Sequence, residues 1–445
     1  MFYSVKFIKN NSMPRKLLHK ILQYAFLNRE MHSKQSTIIL FLFLIGFLSQ
    51  TQGQDPKSQN LEDKVNQLIA LGIEQQAFPG AQVILYKKDS VLVNQSYGYH
   101  TYNSLKEVKS TDLYDLASVT KVMASTLVFM KLYEMYNIDL DQKVSEYVPL
   151  LKRSNKKNTT FRQVLSHSGG WIPYLTHQTT VFRKKGTLKR NTLEMKASPR
   201  FPTQISENWW IHKNYTAKIF RRIRKTPLES VGTYSYSGLW FFLLPQLTQQ
   251  LSGLSFDEFL NTHFYTPMGL DRITFLPRKK FPLDEIVPTE QDTLFRKQLV
   301  RGWVHDEAAA MMGGVSGNAG LFSNANSLYP LMVMLLQKGT YKENQYLKPE
   351  TVTLFTQRAY PNTDNRRGLG FDKPSVNKEE SSYPSQLASP ESFGHTGFTG
   401  TFIWADPQQE AFVIFLSNRV YPYRSQTGLY DLNIRGQLLD YVLEE

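Results

Sequence analysis

The 445-residue chain is 41% hydrophobic and carries no cysteine, which leaves room for a large core and excludes a disulfide framework, a thiol nucleophile, a zinc–thiolate site and a cysteine-borne lipid anchor. Its net charge of +14 is uneven: residues 1–53 hold seven Lys/Arg and one Glu, and residues 171–228 hold thirteen Lys/Arg against two Glu, so the remainder is slightly acidic. Beyond residue 53 the cation excess is confined to one stretch, and with no recognition motif this excludes the usual nucleic-acid footprint. It points to an anionic substrate or an anionic envelope surface as partner, or to a solvated insertion.

Residues 1–30 fit no targeting pattern and read as an upstream extension, with Met31 as the start. Residues 31–53 read as a signal peptide: Lys34, the eleven-residue apolar run Ile38–Leu48, then polar residues to Gly53. A run of that length suits a secretory segment and falls short of the roughly 18–20 residues that span a bilayer. The rest is therefore expected to be exported, periplasmic or extracellular, soluble and monomeric.

Along the remaining chain, Leu61, Val65, Leu68, Ile69 and Ile73 predict a helix over 60–75. Residues 81–86 and 91–97, separated by Lys87–Ser90, predict an antiparallel hairpin. A long apolar helix is expected over 113–137, and a short one over 160–170 that ends on glycines. The basic stretch 171–228 shows little periodicity. A loop at 231–238 precedes helices over 239–251 and 254–264. The glycine-rich turn 313–320 lacks the Gly-Lys-Ser/Thr ending of a phosphate loop and leads into a helix over 326–337. Strands at 399–404 and 411–417 and a helix over 430–443 close the chain.

Strands at both ends with helices between them give an α+β fold: an antiparallel sheet from residues 54–112 and 325–445, and a helical domain over 113–324 that carries the basic insert.

Ser118 and Lys121 stand at the mouth of the apolar helix. Residues i and i+3 share a helix face, about 5–6 Å apart at Cβ, so the amine reaches the hydroxyl and the pair can make a nucleophile without histidine. Ser-x-x-Lys also occurs at Ser154–Lys157 and Ser375–Lys378, in polar loop sequence with no apolar helix behind it. Taken alone, the Ser118 stretch is as readily a core helix with a polar first turn. Acyl transfer further needs a proton carrier and donors for the oxyanion. Tyr236, on a Ser/Gly-rich loop, and the strand at His395-Thr396-Gly397 are candidates, although each alone is equally a packed aromatic or a turn.

In this order the pieces resemble the serine penicillin-recognising family of class C β-lactamases, low-molecular-weight D-Ala-D-Ala peptidases and related esterases. The motifs are Ser118-Val-Thr-Lys121, Tyr236-Ser-Gly238 and His395-Thr-Gly397, supported by Phe78-Pro-Gly-Ala-Gln, Leu165-Ser-His-Ser-Gly169 and Gly313-Gly-Val-Ser-Gly-Asn-Ala-Gly320. The resemblance implies a β-lactamase/transpeptidase-like fold, with Ser118 as the acylated nucleophile, Lys121 and Tyr236 as a coupled proton-transfer unit, and backbone N–H groups of Ser118 and Phe398 at the oxyanion. Thr396 would contact the substrate. Two departures stand out. Gly238 replaces the usual Asn or Asp, and His395 replaces the usual Lys with a group whose ordinary charge is lost above about pH 6.5. The implied reaction is hydrolysis of cell-wall peptides, as a D-Ala carboxypeptidase or muropeptide amidase. The alternatives are a small-ester esterase or weak β-lactamase, and a penicillin-binding sensor that acylates and stalls. No cofactor or metal is expected, since His-Glu-x-x-His is absent and the histidines lack ligand spacing. His167 and His305 read as structural, with His305-Asp306-Glu307 able to line a cleft.

Overall fold

A computed structural model describes residues 56–445; the expected upstream extension (1–30) and the expected signal peptide (31–53) lie outside the described residues. The described residues open on the helix Pro56–Glu74, whose Leu61, Val65, Leu68 and Ile69 are buried. The hairpin follows as β1 (Gly80–Lys87) and β2 (Ser90–Gly98). The C-terminal part supplies β3 (Phe393–Thr396), β4 (Phe402–Asp406) and β5 (Ala411–Ser417). They form one antiparallel sheet in the order β3-β4-β5-β1-β2, with Ala81 opposite Ser417 and His395 opposite Ile403.

Every residue of β1 and β5 is buried, because both faces of the sheet are covered. Successive strand side chains point to opposite faces. Val83, Leu85, Trp404, Val413 and Phe415 thus pack in one core with Pro56–Glu74 and the last helix, Ile434–Glu444. Ile84, Tyr86, Phe412 and Ile414 join the other core, with the helix Ala325–Leu336 and the helical part of the chain. Tyr86 stacks on Phe412 at 4.5 Å between ring centroids. Residues Ser58–Glu445 make one compact unit. No helix of the described residues is long and apolar enough to cross a membrane.

The region expected as one helix from residue 113 is built differently. Tyr114–Asp115 is extended and pairs with Phe322–Ser323. A single 3₁₀ turn covers Ala117–Val119, and Lys121–Thr126 is π-helical before the α-helix Leu127–Tyr136 begins. Strand pairing at one end accounts for the late start. Within the π segment the Thr126 hydroxyl donates to the Lys121 carbonyl at 2.8 Å, an additional tie across the widened turn, of the kind often found at functional sites.

The basic insert also holds more structure than its sequence suggests. Leu193–Glu194, Thr203–Ser206 and Trp209–Ile211 form a small sheet. The helix Tyr215–Lys225 buries Tyr215, Ile219 and Ile223, one residue per turn, and leaves its cations outward.

Candidate active site

Asp115 sets the approach to Ser118. Its buried carboxylate accepts from the Ala117 N–H at 2.8 Å and the His305 N–H at 2.6 Å. Ala117 stands at φ 45°, a left-handed conformation that costs a non-glycine residue of order 1–3 kcal/mol and that neighbouring bonds must hold. The Asp115 bond to its N–H is one of them. Burial pushes the Asp115 carboxyl above its ordinary range, against those two donors.

Ser118 is half-buried, while Lys121 is 2% exposed. Lys121 Nζ donates to Ser118 Oγ at 3.0 Å and to the Asn318 carbonyl at 2.8 Å. Among the described residues no carboxylate comes within 4.0 Å of Lys121. The glycine-rich turn thus supports the nucleophile segment from behind, and Gly317 adds a carbonyl that accepts from Ser125 Oγ at 2.6 Å.

Tyr236 Oη donates to Ser118 Oγ at 3.2 Å. Its loop hangs on the short helix Phe161–Leu165 and the turn after it. Ser235 N–H donates to the His167 carbonyl at 2.9 Å, Ser237 N–H to His167 Nδ1 at 3.2 Å, and Ser237 Oγ to the Ile172 carbonyl at 2.8 Å. Because Nδ1 accepts, the proton of neutral His167 sits on Nε2. The His167 ring lies 4.6 Å from that of Tyr236, centroid to centroid. Burial drives the His167 pKa well below its ordinary value, and Arg367 adds to the effect. His167 is therefore a neutral prop for the tyrosine loop.

His395 sits within β3, at the edge of the sheet, and its ring is 6.0 Å from that of Tyr236. Nδ1 donates to the Thr396 carbonyl at 2.7 Å, which leaves a lone pair on Nε2 that finds no partner among the described residues. Burial, then Arg367 and Lys121, bring its pKa down to about 3. The expectation of a charge lost near pH 6.5 is corrected: His395 is neutral throughout the neutral and mildly acidic range, because it is buried beside cations.

The turn after β3 is stitched to the nucleophile segment. Thr399 Oγ1 donates to the Asp115 carbonyl at 2.7 Å and Thr401 Oγ1 to the Leu116 carbonyl at 2.9 Å. Gly397 tolerates no side chain here, since a Cβ would come 2.0 Å from Thr401 Oγ1 and 2.5 Å from the Leu116 carbonyl. Thr396 is half-buried and Phe398 is exposed, its ring stacked at 5.6 Å on His305 and lying 4.7 Å from the Arg419 guanidinium. The Phe398 N–H donates to no group of the described residues.

Sequence reasoning passed over Asn318, which acts through its backbone carbonyl, and Arg367, which belongs to no motif. It weighed His305-Asp306-Glu307 only as a possible cleft wall. His305 Nε2 pairs with Glu290 Oε2 at 2.7 Å, and Arg424 bridges Glu290 and Glu307 at 2.7 and 2.8 Å.

A family model for Beta-lactamase matches residues 65–435. The chain belongs to the Beta-lactamase family. This is a family of serine hydrolases with the mixed helix and antiparallel-sheet fold described above. A protein of Escherichia coli K12, provisionally named a D-alanyl-D-alanine carboxypeptidase, is 29% identical over 371 residues, covering 77% of this chain and 79% of its own. Among solved structures, EstCE1, described as a hydrolase with promiscuous acyltransferase activity, superposes with a TM-score of 0.62 at 19% identity, over 87% of this chain and 99% of its own. A penicillin-binding protein homologue from Caulobacter crescentus gives 0.61 at 16% identity, over 87% and 98%. The two structures speak to the fold of this Beta-lactamase family member.

Proposed function

We propose that the protein is an exported serine hydrolase that cleaves cell-wall peptides through an acyl-enzyme on Ser118, as a D-Ala carboxypeptidase or muropeptide amidase. The observation that carries this reading is the meeting of Lys121 Nζ and Tyr236 Oη on one serine oxygen, at 3.0 and 3.2 Å. Ser118 Oγ attacks the scissile carbonyl and gives up its proton to the Lys121–Tyr236 pair. The same pair returns a proton to the leaving amine, and water then cleaves the ester. Backbone N–H groups of Ser118 and Phe398 receive the oxyanion, and Thr396 meets the substrate. The name of the E. coli relative supports the peptide class, and the apolar run Ile38–Leu48 supports export. The thirteen cations of the insert, whose first residues carry the Tyr236 loop through Ile172, favour an anionic substrate or envelope surface.

Mass spectrometry of products from a defined muropeptide is expected to show release of D-Ala, or of the whole peptide if the bond is the amide to the sugar acid. An intact muropeptide, with rapid hydrolysis of p-nitrophenyl acetate, would replace this reading by the esterase one. A labelled penicillin that attaches to Ser118 and never turns over would favour the sensor.

Gly238 is the observation that favours the sensor reading, since the loop offers no side-chain amide there to hold the lysine and the substrate amide. A Cβ at this position would stand 4.0 Å from both Asn318 Cβ and Lys121 Cε, with no clash. Gly238→Asn is therefore expected to fold with stability within about 1 kcal/mol of the parent. It should speed acylation by labelled penicillin about tenfold, the worth of one added hydrogen bond of about 1.4 kcal/mol. Stopped-flow labelling and a thermal melt check both parts.

A further inference from the structure

Arg367 is buried about as deeply as Lys121. It is 3% exposed, and its guanidinium carbon stands 5.1 Å from the Tyr236 ring centroid. Two of its nitrogens donate to Tyr234 Oη at 3.4 and 3.3 Å, its Nε is 3.3 Å from Asp372 Oδ1, and Nη1 has no partner among the described residues. Asp372 is shared between two arginines, and its side-chain hydrogen bonds come from the other one and from a tyrosine. Arg366 binds that carboxylate with two nitrogens, at 2.8 and 3.1 Å, and Tyr383 Oη donates at 2.9 Å. Two buried or half-buried arginines thus stand against one carboxylate, which leaves one positive charge in excess behind the tyrosine.

A tyrosine takes the serine proton as its phenolate, its own proton having passed to the coupled Lys121 amine, and a phenolate shielded from water needs positive charge close by. The aromatic and basic groups around Tyr236 divide into two kinds. His167 and His395 are buried, each with one ring nitrogen bonded to backbone and the other unpartnered. They bring no charge. Lys121, 5.5 Å from the same ring centroid, and Arg367 do. Lys121 donates a hydrogen bond to the reacting serine, whereas Arg367 has no hydrogen bond to it and a guanidinium does not give up its proton.

We propose that Arg367 is a positioning residue for the Tyr236 proton relay, supplying from behind the ring a fixed positive charge that stabilises the phenolate while Ser118 is acylated. The inference rests on the relay role of Tyr236 proposed above. Arg367 touches no substrate, so its effect falls on the rate of the chemical step and passes through Tyr236 alone.

The test is a double-mutant cycle on penicillin labelling and p-nitrophenyl acetate hydrolysis, with Tyr236→Phe and Arg367→Gln separately and together. Arg367→Gln is expected to lower kcat about 10- to 100-fold with KM within about twofold. Arg367→Lys should recover most of the rate. In the Tyr236→Phe background, Arg367→Gln should cost less than about threefold. An equal loss in both backgrounds, or a Lys variant as slow as the Gln variant, would overturn the proposal while leaving the relay standing. If Tyr236→Phe itself leaves the rate unchanged, the relay reading fails first, and the proposal with it. Should Arg367→Gln not fold, Tyr234→Phe, which removes the hydroxyl that orients the guanidinium, is expected to lower kcat about three- to tenfold in the same KM-neutral manner, and an unchanged kcat there counts against it.

Discussion

Ser118→Ala is expected to lower kcat on any acyl substrate by about 10³-fold or more, with the fold intact, and to abolish covalent labelling by penicillin. The size follows from chemistry rather than packing. Without Oγ there is no acyl-enzyme, and neither Lys121 nor Tyr236 has a serine proton to move. Lys121→Ala should fall nearly as far, and Ser118→Ala with Lys121→Ala together should be little worse than either alone, because the groups act as one unit. Intact-mass measurement after exposure to penicillin reads the first effect, and steady-state rates read the second. Labelled Ser118→Ala protein, or muropeptide cleavage at the parent rate, would remove Ser118 from the mechanism.

Some of this site could be read from residue order, and some could not. The hairpin stands within a residue of its predicted ends because its apolar runs and polar turn act locally, through β1 and β2. The Ser118–Lys121 pair was legible as a spacing, yet the helix assumed beneath it begins only after an extended pair, a 3₁₀ turn and a π segment. Partners distant in sequence decide that: Phe322 and Ser323 through strand pairing, Thr399 and Thr401 through their hydroxyls. The helix Tyr215–Lys225 was missed although Tyr215, Ile219 and Ile223 recur every four residues, because the dense cations between them obscured the period. Asn318 could not have been found by side-chain chemistry, since it holds Lys121 with a carbonyl that any residue would offer. Arg367 needs the fold to bring residue 367 beneath residue 236. The neutrality of His395 is likewise a property of burial, which no motif records.

Burial of uncharged histidines has a second consequence, which is the other large effect expected: the protein should lose stability steeply in mild acid. Burial lowers the pKa of His395 and His177 to about 3, with Arg367 and Arg222 respectively adding to it, and takes His167 well below its ordinary value; His263 moves the same way. In the unfolded chain these rings bind protons near pH 6.5, so between that pH and the folded values the unfolded state holds more protons and stability falls as pH falls. Asp115, Asp306 and Asp440, whose carboxyls burial pushes up, act in the opposite sense. His395 and His177, both held at about 3, each remove about 1.4 kcal/mol of stability per pH unit between about pH 5.5 and 4.5; His167 and His263 act in the same direction, and the raised carboxyls offset part of the loss. Below that range Glu290 and Asp292, both lowered to about 2 because their charged partners outweigh burial, steepen it further. Urea titrations at half-unit steps read the slope directly. His177→Gln, at a ring remote in sequence from the three motifs, should flatten it by about 1.4 kcal/mol per unit. A stability profile level from pH 7 to 4.5 that His177→Gln leaves unchanged would mean that these rings titrate normally, and would remove the neutral His395 on which the charge balance around Tyr236 depends.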